Sequence, residues 1–122
     1  MRVTNEFVSD HGLAVSRGGA GDRLAVLLHG LGANRAVWSR MTGIADAHWS
    51  GRWMAPDFRG HGRSPMQGPF GYGAHAADIA DLIKGEDAGN VTLVGHSFGG
   101  VIAALAGSGL YGPAVSNIAA FG

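Results

Sequence analysis

Ser97 stands in the run Gly95-His96-Ser97-Phe98-Gly99, between an apolar stretch, Val91–Val94, and a small-residue stretch, Gly100–Ala106. A serine hydroxyl is a weak nucleophile at neutral pH and must be activated. A sharp turn from strand to helix is one way to present it. Flanking glycines let the two segments pass closely, and the helix start turns free N–H groups and a positive dipole end toward developing negative charge. The bare five-residue pattern is weak evidence in a chain with 22 glycines, because its chance expectation is roughly a quarter. The strand before it and the helix after it give the pattern its weight. The plain alternative is a tight turn with an incidental serine.

A second glycine-rich turn, His29-Gly30-Leu31-Gly32, follows the apolar run Leu24–Leu28. Acyl transfer needs backbone N–H donors aimed at an oxyanion. This turn can place the Leu31 N–H beside that of Phe98, whereas the His29 side chain reads as a group satisfied inside the fold. What is missing is a base. From Phe98 to Gly122 there is no Asp, Glu, His, Lys or Arg, and His11, His29, His48, His61, His75 and His96 all precede Ser97. His61, with Asp57 close in sequence, is the one earlier histidine placed on the same rim. His96 reads as a packing or pocket residue, since neighbours at a sharp turn point apart. Other site chemistries fail. Arg35 occupies the third-glycine place of a dinucleotide turn, and the one lysine, Lys84, follows Ile83, so there is no phosphate loop. Histidine spacing supports no metal site, and no cofactor is expected.

Glu6–Ser9 and Leu13–Ser16 read as a hairpin about Asp10-His11-Gly12, and Gly18-Gly19-Ala20-Gly21 as a loop. Leu24–Leu28 has the unbroken apolar character of a strand covered on both faces. A helix is expected from about Asn34, with Val37, Met41 and Ile44 as its apolar stripe. Trp53-Met54-Ala55 is a short strand leading into a loop, Phe58 to about Gly71. Ala76–Lys84 is a helix ended by Gly85, with Ile79, Leu82 and Ile83 on one face. Val91–Val94 is a strand, Phe98–Ala106 a helix and Val115–Phe121 a last strand. The order implies an α/β fold: a mostly parallel sheet, helices on both faces, and an antiparallel hairpin at one edge.

With 46% hydrophobic and 15% charged residues the chain can bury a core, and its 122 residues fit one domain or part of one. Nine basic and nine acidic residues cancel, so no electrostatic case exists for nucleic acid or an anionic membrane. The absence of cysteine fits a reducing compartment, and the N-terminus has no apolar leader, so a cytoplasmic location is expected.

Three ordered segments together resemble the first half of an α/β-hydrolase-fold protein of the esterase and lipase superfamily. They are Val26–Gly32, Asp57-Phe58-Arg59-Gly60-His61-Gly62-Arg63-Ser64 and Gly95–Gly100, with Trp38 as the aromatic after the first turn. The resemblance implies Ser97 as nucleophile, Leu31 and Phe98 backbone N–H groups as oxyanion donors, and Asp57–Ser64 as a structural loop. It implies hydrolysis of an ester-like small molecule by a domain, residues 1–122, that lacks the later strands, any lid, and the acid and histidine that normally follow the serine. Little activity alone is therefore expected. The alternative is a non-catalytic ligand-binding or partner-dependent protein. Val115–Phe121, without charge or proline, is expected to leave an open sheet edge for self-association or a partner chain.

Overall fold

Leu24, Val26 and Leu28 alternate with Ala25 and Leu27, and strand geometry sends the two sets to opposite faces. Both faces are covered in the computed structural model, which describes residues 4–10 and 12–122. Leu24, Val26 and Leu28 enter one core with Met54, Ile79, Leu93 and Ile102, while Leu27 packs with Trp38, Trp53 and Ala55 in a second. The strand carrying them, β3 (Arg23–Leu28), is therefore central. The others are β1 (Thr4–Val8), β2 (Ala14–Gly19), β4 (Arg52–Pro56), β5 (Asn90–His96) and β6 (Asn117–Phe121). They form one sheet in the order β1-β2-β4-β3-β5-β6. β1 and β2 run antiparallel to each other, and β2 antiparallel to β4, while β4, β3, β5 and β6 are mutually parallel. This is the expected fold: a mostly parallel sheet with an antiparallel hairpin at one edge. Three helices connect the parallel strands. α2 (Tyr72–Lys84) and α3 (Phe98–Gly107) close the first core. α1 (Ser39–His48), entered through a 3-10 turn at Arg35–Trp38, lies over the second.

Four local expectations are corrected. Gly18 and Gly19 belong to β2 rather than to a loop. A side chain at Gly18 would meet the Trp53 indole at 2.7 Å, so glycine there makes room for the tryptophan rather than marking a turn. The stripe Val37, Met41 and Ile44 faces solvent, and Trp38 and Thr42 are the buried residues. Asn34 caps the 3-10 turn, its Oδ1 accepting the Ala36 N–H at 2.9 Å, and the tighter turn shifts the phase of the helix after it. α2 begins a turn early, at Tyr72, because burial of His75 and Ala76 outweighs the poor helix propensity of Gly73. β6 begins at Asn117, two residues later than expected. At the hairpin turn, Gly12 has φ +90°, while His11 lies outside the described residues.

Candidate active site

The ends of β3, β4 and β5 deliver three turns to one rim of the sheet. The sharpest joins β5 to α3. Ser97 has φ 56° and ψ −116°, and among the described residues it alone combines a positive φ with a side chain. Glycines on both sides are obligatory. A Cβ at Gly95 would lie 2.2 Å from the Gly99 carbonyl oxygen, and one at Gly99 would lie 2.2 Å from that of Leu28. β5 and α3 thus cross at backbone contact and push Ser97 outward, where it is exposed. The turn is pinned from outside as well, since the Ser97 N–H donates to the Phe121 carbonyl of β6 at 2.7 Å. Phe98 opens α3, so its N–H has no acceptor within the helix.

The second turn closes with the Ala33 N–H donating to the Gly30 carbonyl at 3.1 Å. Gly32 at its third position has φ +78°, the value a type II turn requires there. The turn abuts Ser97: a side chain at Gly30 would lie 3.8 Å from its Cβ. The Gly30–Leu31 peptide therefore stands beside the head of α3. This brings together the three residues expected to form the site, Ser97, Leu31 and Phe98.

Two histidines grip this turn. His29, fully buried, donates from Nδ1 to the Gly30 carbonyl at 2.7 Å and accepts the Phe58 N–H on Nε2 at 3.1 Å. His61 accepts the Gly32 N–H on Nε2 at 3.0 Å and donates from Nδ1 to the Arg59 carbonyl at 3.0 Å. Each backbone partner fixes a neutral tautomer. His29, His61 and His75 surround Phe58 edge-on, with His29 and His61 5.1 Å apart and His61 and His75 6.2 Å apart. Burial holds His29 and His75 below the ordinary imidazole pKa, because the cation would lose its hydration. His61 is thus committed to the backbone rather than to Ser97. His96 is exposed beside the serine, its ring 5.3 Å from that of Phe121.

Asp57 does not approach His61 as an orienting acid. It is fully buried and takes the Arg35 N–H at 2.7 Å, the Arg63 N–H at 2.9 Å and the Arg35 guanidinium. Arg35 continues to Ser16 Oγ at 2.8 Å and Glu6 Oε1 at 2.7 Å. The motif's serine, Ser64, donates to the Asp57 carbonyl at 2.6 Å and accepts the Ala14 N–H. Arg59 forms a two-point bridge to Asp78 of α2, both contacts at 2.7 Å. These bonds make Asp57–Ser64 a knot tying β2, the 3-10 turn and α2 together. Sequence reasoning missed Arg35 and Asp78 as its partners, since neither lies near the loop in the chain. Among the described residues no cluster of His, Asp or Glu is arranged to hold a metal.

Beside the turn opens a cavity of about 500 Å³, lined by Leu31, His61, Met66, Phe70, Tyr72 and Phe98 among others. Its wall is mostly apolar, and both Leu31 and Phe98 border it.

Residues 25–120 match the model of the Alpha/beta hydrolase family, and the chain belongs to that family. Lipase LipV of Mycobacterium tuberculosis is 35% identical over 88 residues, which is 70% of this chain and 32% of the lipase. Non-heme chloroperoxidase CPO-A1 of Kitasatospora aureofaciens is 38% identical over 80 residues, 64% of this chain and 28% of that protein. Among solved structures, E-2-(acetamidomethylene)succinate hydrolase superposes with a TM-score of 0.77 at 26% identity, covering 98% of this chain and 44% of the hydrolase. The chain thus spans about a third of the length of these sequence relatives. No described helix is long and apolar enough to cross a membrane.

Proposed function

We propose that the chain is the nucleophile-bearing part of a serine hydrolase acting on ester-like small molecules. Ser97 attacks the carbonyl carbon, and the Leu31 and Phe98 N–H groups receive the oxyanion. The observation that carries this is the backbone of Ser97: a non-glycine residue held at φ 56° on an exposed turn, with Gly30 against its Cβ. Strain of this kind costs on the order of 1–3 kcal/mol and is expected where it serves a site. The apolar cavity beside Leu31 and Phe98 suits a hydrocarbon arm of the substrate. The lipase and hydrolase names among the relatives favour the same class. Lack of cysteine suits a reducing, cytoplasmic setting.

Activity of this chain by itself is expected to be low. Both ring nitrogens of His29 and His61 are already bonded, and no Asp, Glu or His follows Ser97. Without a base, a positioned serine and oxyanion hole give only residual rates. The bonded state of both histidine rings favours a second reading, a ligand-binding or partner-dependent protein without turnover of its own. Labelling with a fluorophosphonate, read by mass spectrometry with Ser97→Ala as control, separates the two. Without a base Ser97 should react slowly but detectably: a slow adduct on Ser97 supports the hydrolase, and none at millimolar reagent, a generous excess on the order of ordinary substrate levels, supports the binder.

A further inference from the structure

We propose that His61 is a positioning residue for the Leu31 N–H: its Nε2 selects one orientation of the Leu31–Gly32 peptide and so keeps the turn facing Ser97 in a single form. This rests on the reading of Ser97 as nucleophile.

Leu31 is joined to two peptide planes, and a different imidazole holds each. His29 Nδ1 and the Ala33 N–H both bind the Gly30 carbonyl, which belongs to the same peptide as the Leu31 N–H. His61 Nε2 binds the Gly32 N–H, which belongs to the following peptide. That second plane is the one free to flip. Type I and type II turns differ chiefly by a half-rotation of their central peptide. Glycine at the third position accepts both φ signs almost equally, so Gly32 cannot choose between them. Nothing lies within 4 Å of where a Gly32 Cβ would be, so no packing at that position chooses either. The hydrogen bond to His61 is the contact that does. In the flipped form the Gly32 N–H would leave the ring and the Leu31 carbonyl would turn toward it. Leu31, already exposed, would then have no restraint on its second side.

Only a neutral ring with its proton on Nδ1 can accept at Nε2. The Arg59 carbonyl at 3.0 Å fixes that tautomer. A doubly protonated ring donates at both nitrogens and loses the Gly32 N–H. The titratable and charged groups around it are His29 at the end of β3, His75 and Asp78 on α2, Asp57 at the end of β4, and Arg59 on its own loop.

The test uses His61→Phe, which keeps an aromatic ring against His29, Phe58 and His75 but has no acceptor. It also uses His61→Gln, which offers an acceptor oxygen that does not titrate near neutrality. Two quantities are read on the full 122-residue chain: solvent exchange of the Gly32 amide by NMR, corrected for intrinsic rate, and the rate of fluorophosphonate labelling at Ser97. His61→Phe should raise Gly32 exchange at least about tenfold and slow labelling by about tenfold, a fraction of the loss on deleting an oxyanion donor. His61→Gln should restore both. Unchanged exchange in His61→Phe overturns the proposal, and so does raised exchange with unchanged labelling. If the unaltered chain takes no label on Ser97, the nucleophile reading falls, while the exchange data still decide whether His61 holds the turn. If neither variant folds, the unaltered chain decides: a Gly32 amide that exchanges with solvent at its intrinsic rate, as an unbonded N–H would, overturns the proposal.

Discussion

Replacing Gly99 with alanine should damage this protein far more than removing the serine hydroxyl. A Cβ at Gly99 would lie 2.2 Å from the Leu28 carbonyl oxygen, 2.6 Å from that of His29 and 2.7 Å from the Leu28 carbonyl carbon. All three atoms are backbone at the end of β3, which β4 and β5 hold from either side. They cannot rotate away as a side chain would, so α3 must back off by about 1 Å to restore ordinary contact distances. That movement would loosen Ile102, Ala103 and Ala106, all buried in the main core. Overpacking of a tight site typically costs 1–3 kcal/mol. With only backbone to yield, about 3 kcal/mol is expected, which lowers Tm by about 12 °C at roughly 4 °C per kcal/mol for a chain of this size. Ser97→Ala removes an exposed hydroxyl and should stay within about 0.5 kcal/mol. Ser97→Gly should move the other way, because glycine alone adopts φ 56° without strain. Relief of about 1 kcal/mol, offset in part by the greater freedom of glycine in the unfolded chain, leaves a small gain. Thermal melts by circular dichroism and urea unfolding of the three variants measure these differences. A Gly99→Ala protein melting within 2 °C of Ser97→Ala, a gap near the ordinary surface-substitution range, would refute the argument that backbone contact dictates the turn.

Purified chain should turn over p-nitrophenyl acetate barely above background, since His29 and His61 are bonded at both ring nitrogens. Robust turnover abolished by Ser97→Ala would contradict this and make His61 the first residue to mutate. Stability should fall on mild acidification. Burial depresses the His29 and His75 pKa values, so below about 6.5 the unfolded chain binds protons that the folded chain does not. The stability they contribute is full above that pH and is lost as pH falls toward their folded values. Urea midpoints flat from pH 7.5 to 5, a span chosen to bracket the usual histidine range, would rule it out, and His75→Phe should flatten the slope. The chain should also self-associate or need a partner. Among the described residues β6 pairs with β5 alone, all five of its residues are exposed, and no charge or proline blunts it. Light scattering that finds a monodisperse monomer at tens of micromolar, where exposed edges usually aggregate, would count against it.

The arrangement of strands and helices was legible because burial leaves a periodic mark. Leu24–Leu28 and Val91–Val94 are apolar without a break because both faces of those strands are covered, and glycines at 95 and 99 announce a backbone crossing. The sequence order alone therefore located Ser97, the turn at Leu31 and the head of α3. Other features depend on contacts between distant residues, which leave no local trace. Gly18 looks like a loop residue until Trp53 is seen lying on it. Val37, Met41 and Ile44 form a faultless helical stripe that faces solvent, since the 3-10 turn and Trp38 set the phase of α1. Asp57 and His61, near neighbours in the chain, look like a possible acid–base pair. Tertiary structure separates them, giving Asp57 to Arg35 and His61 to Gly32. Residue types and spacing fixed where a nucleophile could stand. Which nitrogen meets which carbonyl was decided only when β3, β4 and α2 brought their ends to one rim, because a hydrogen bond depends on distance and direction that a sequence does not encode locally.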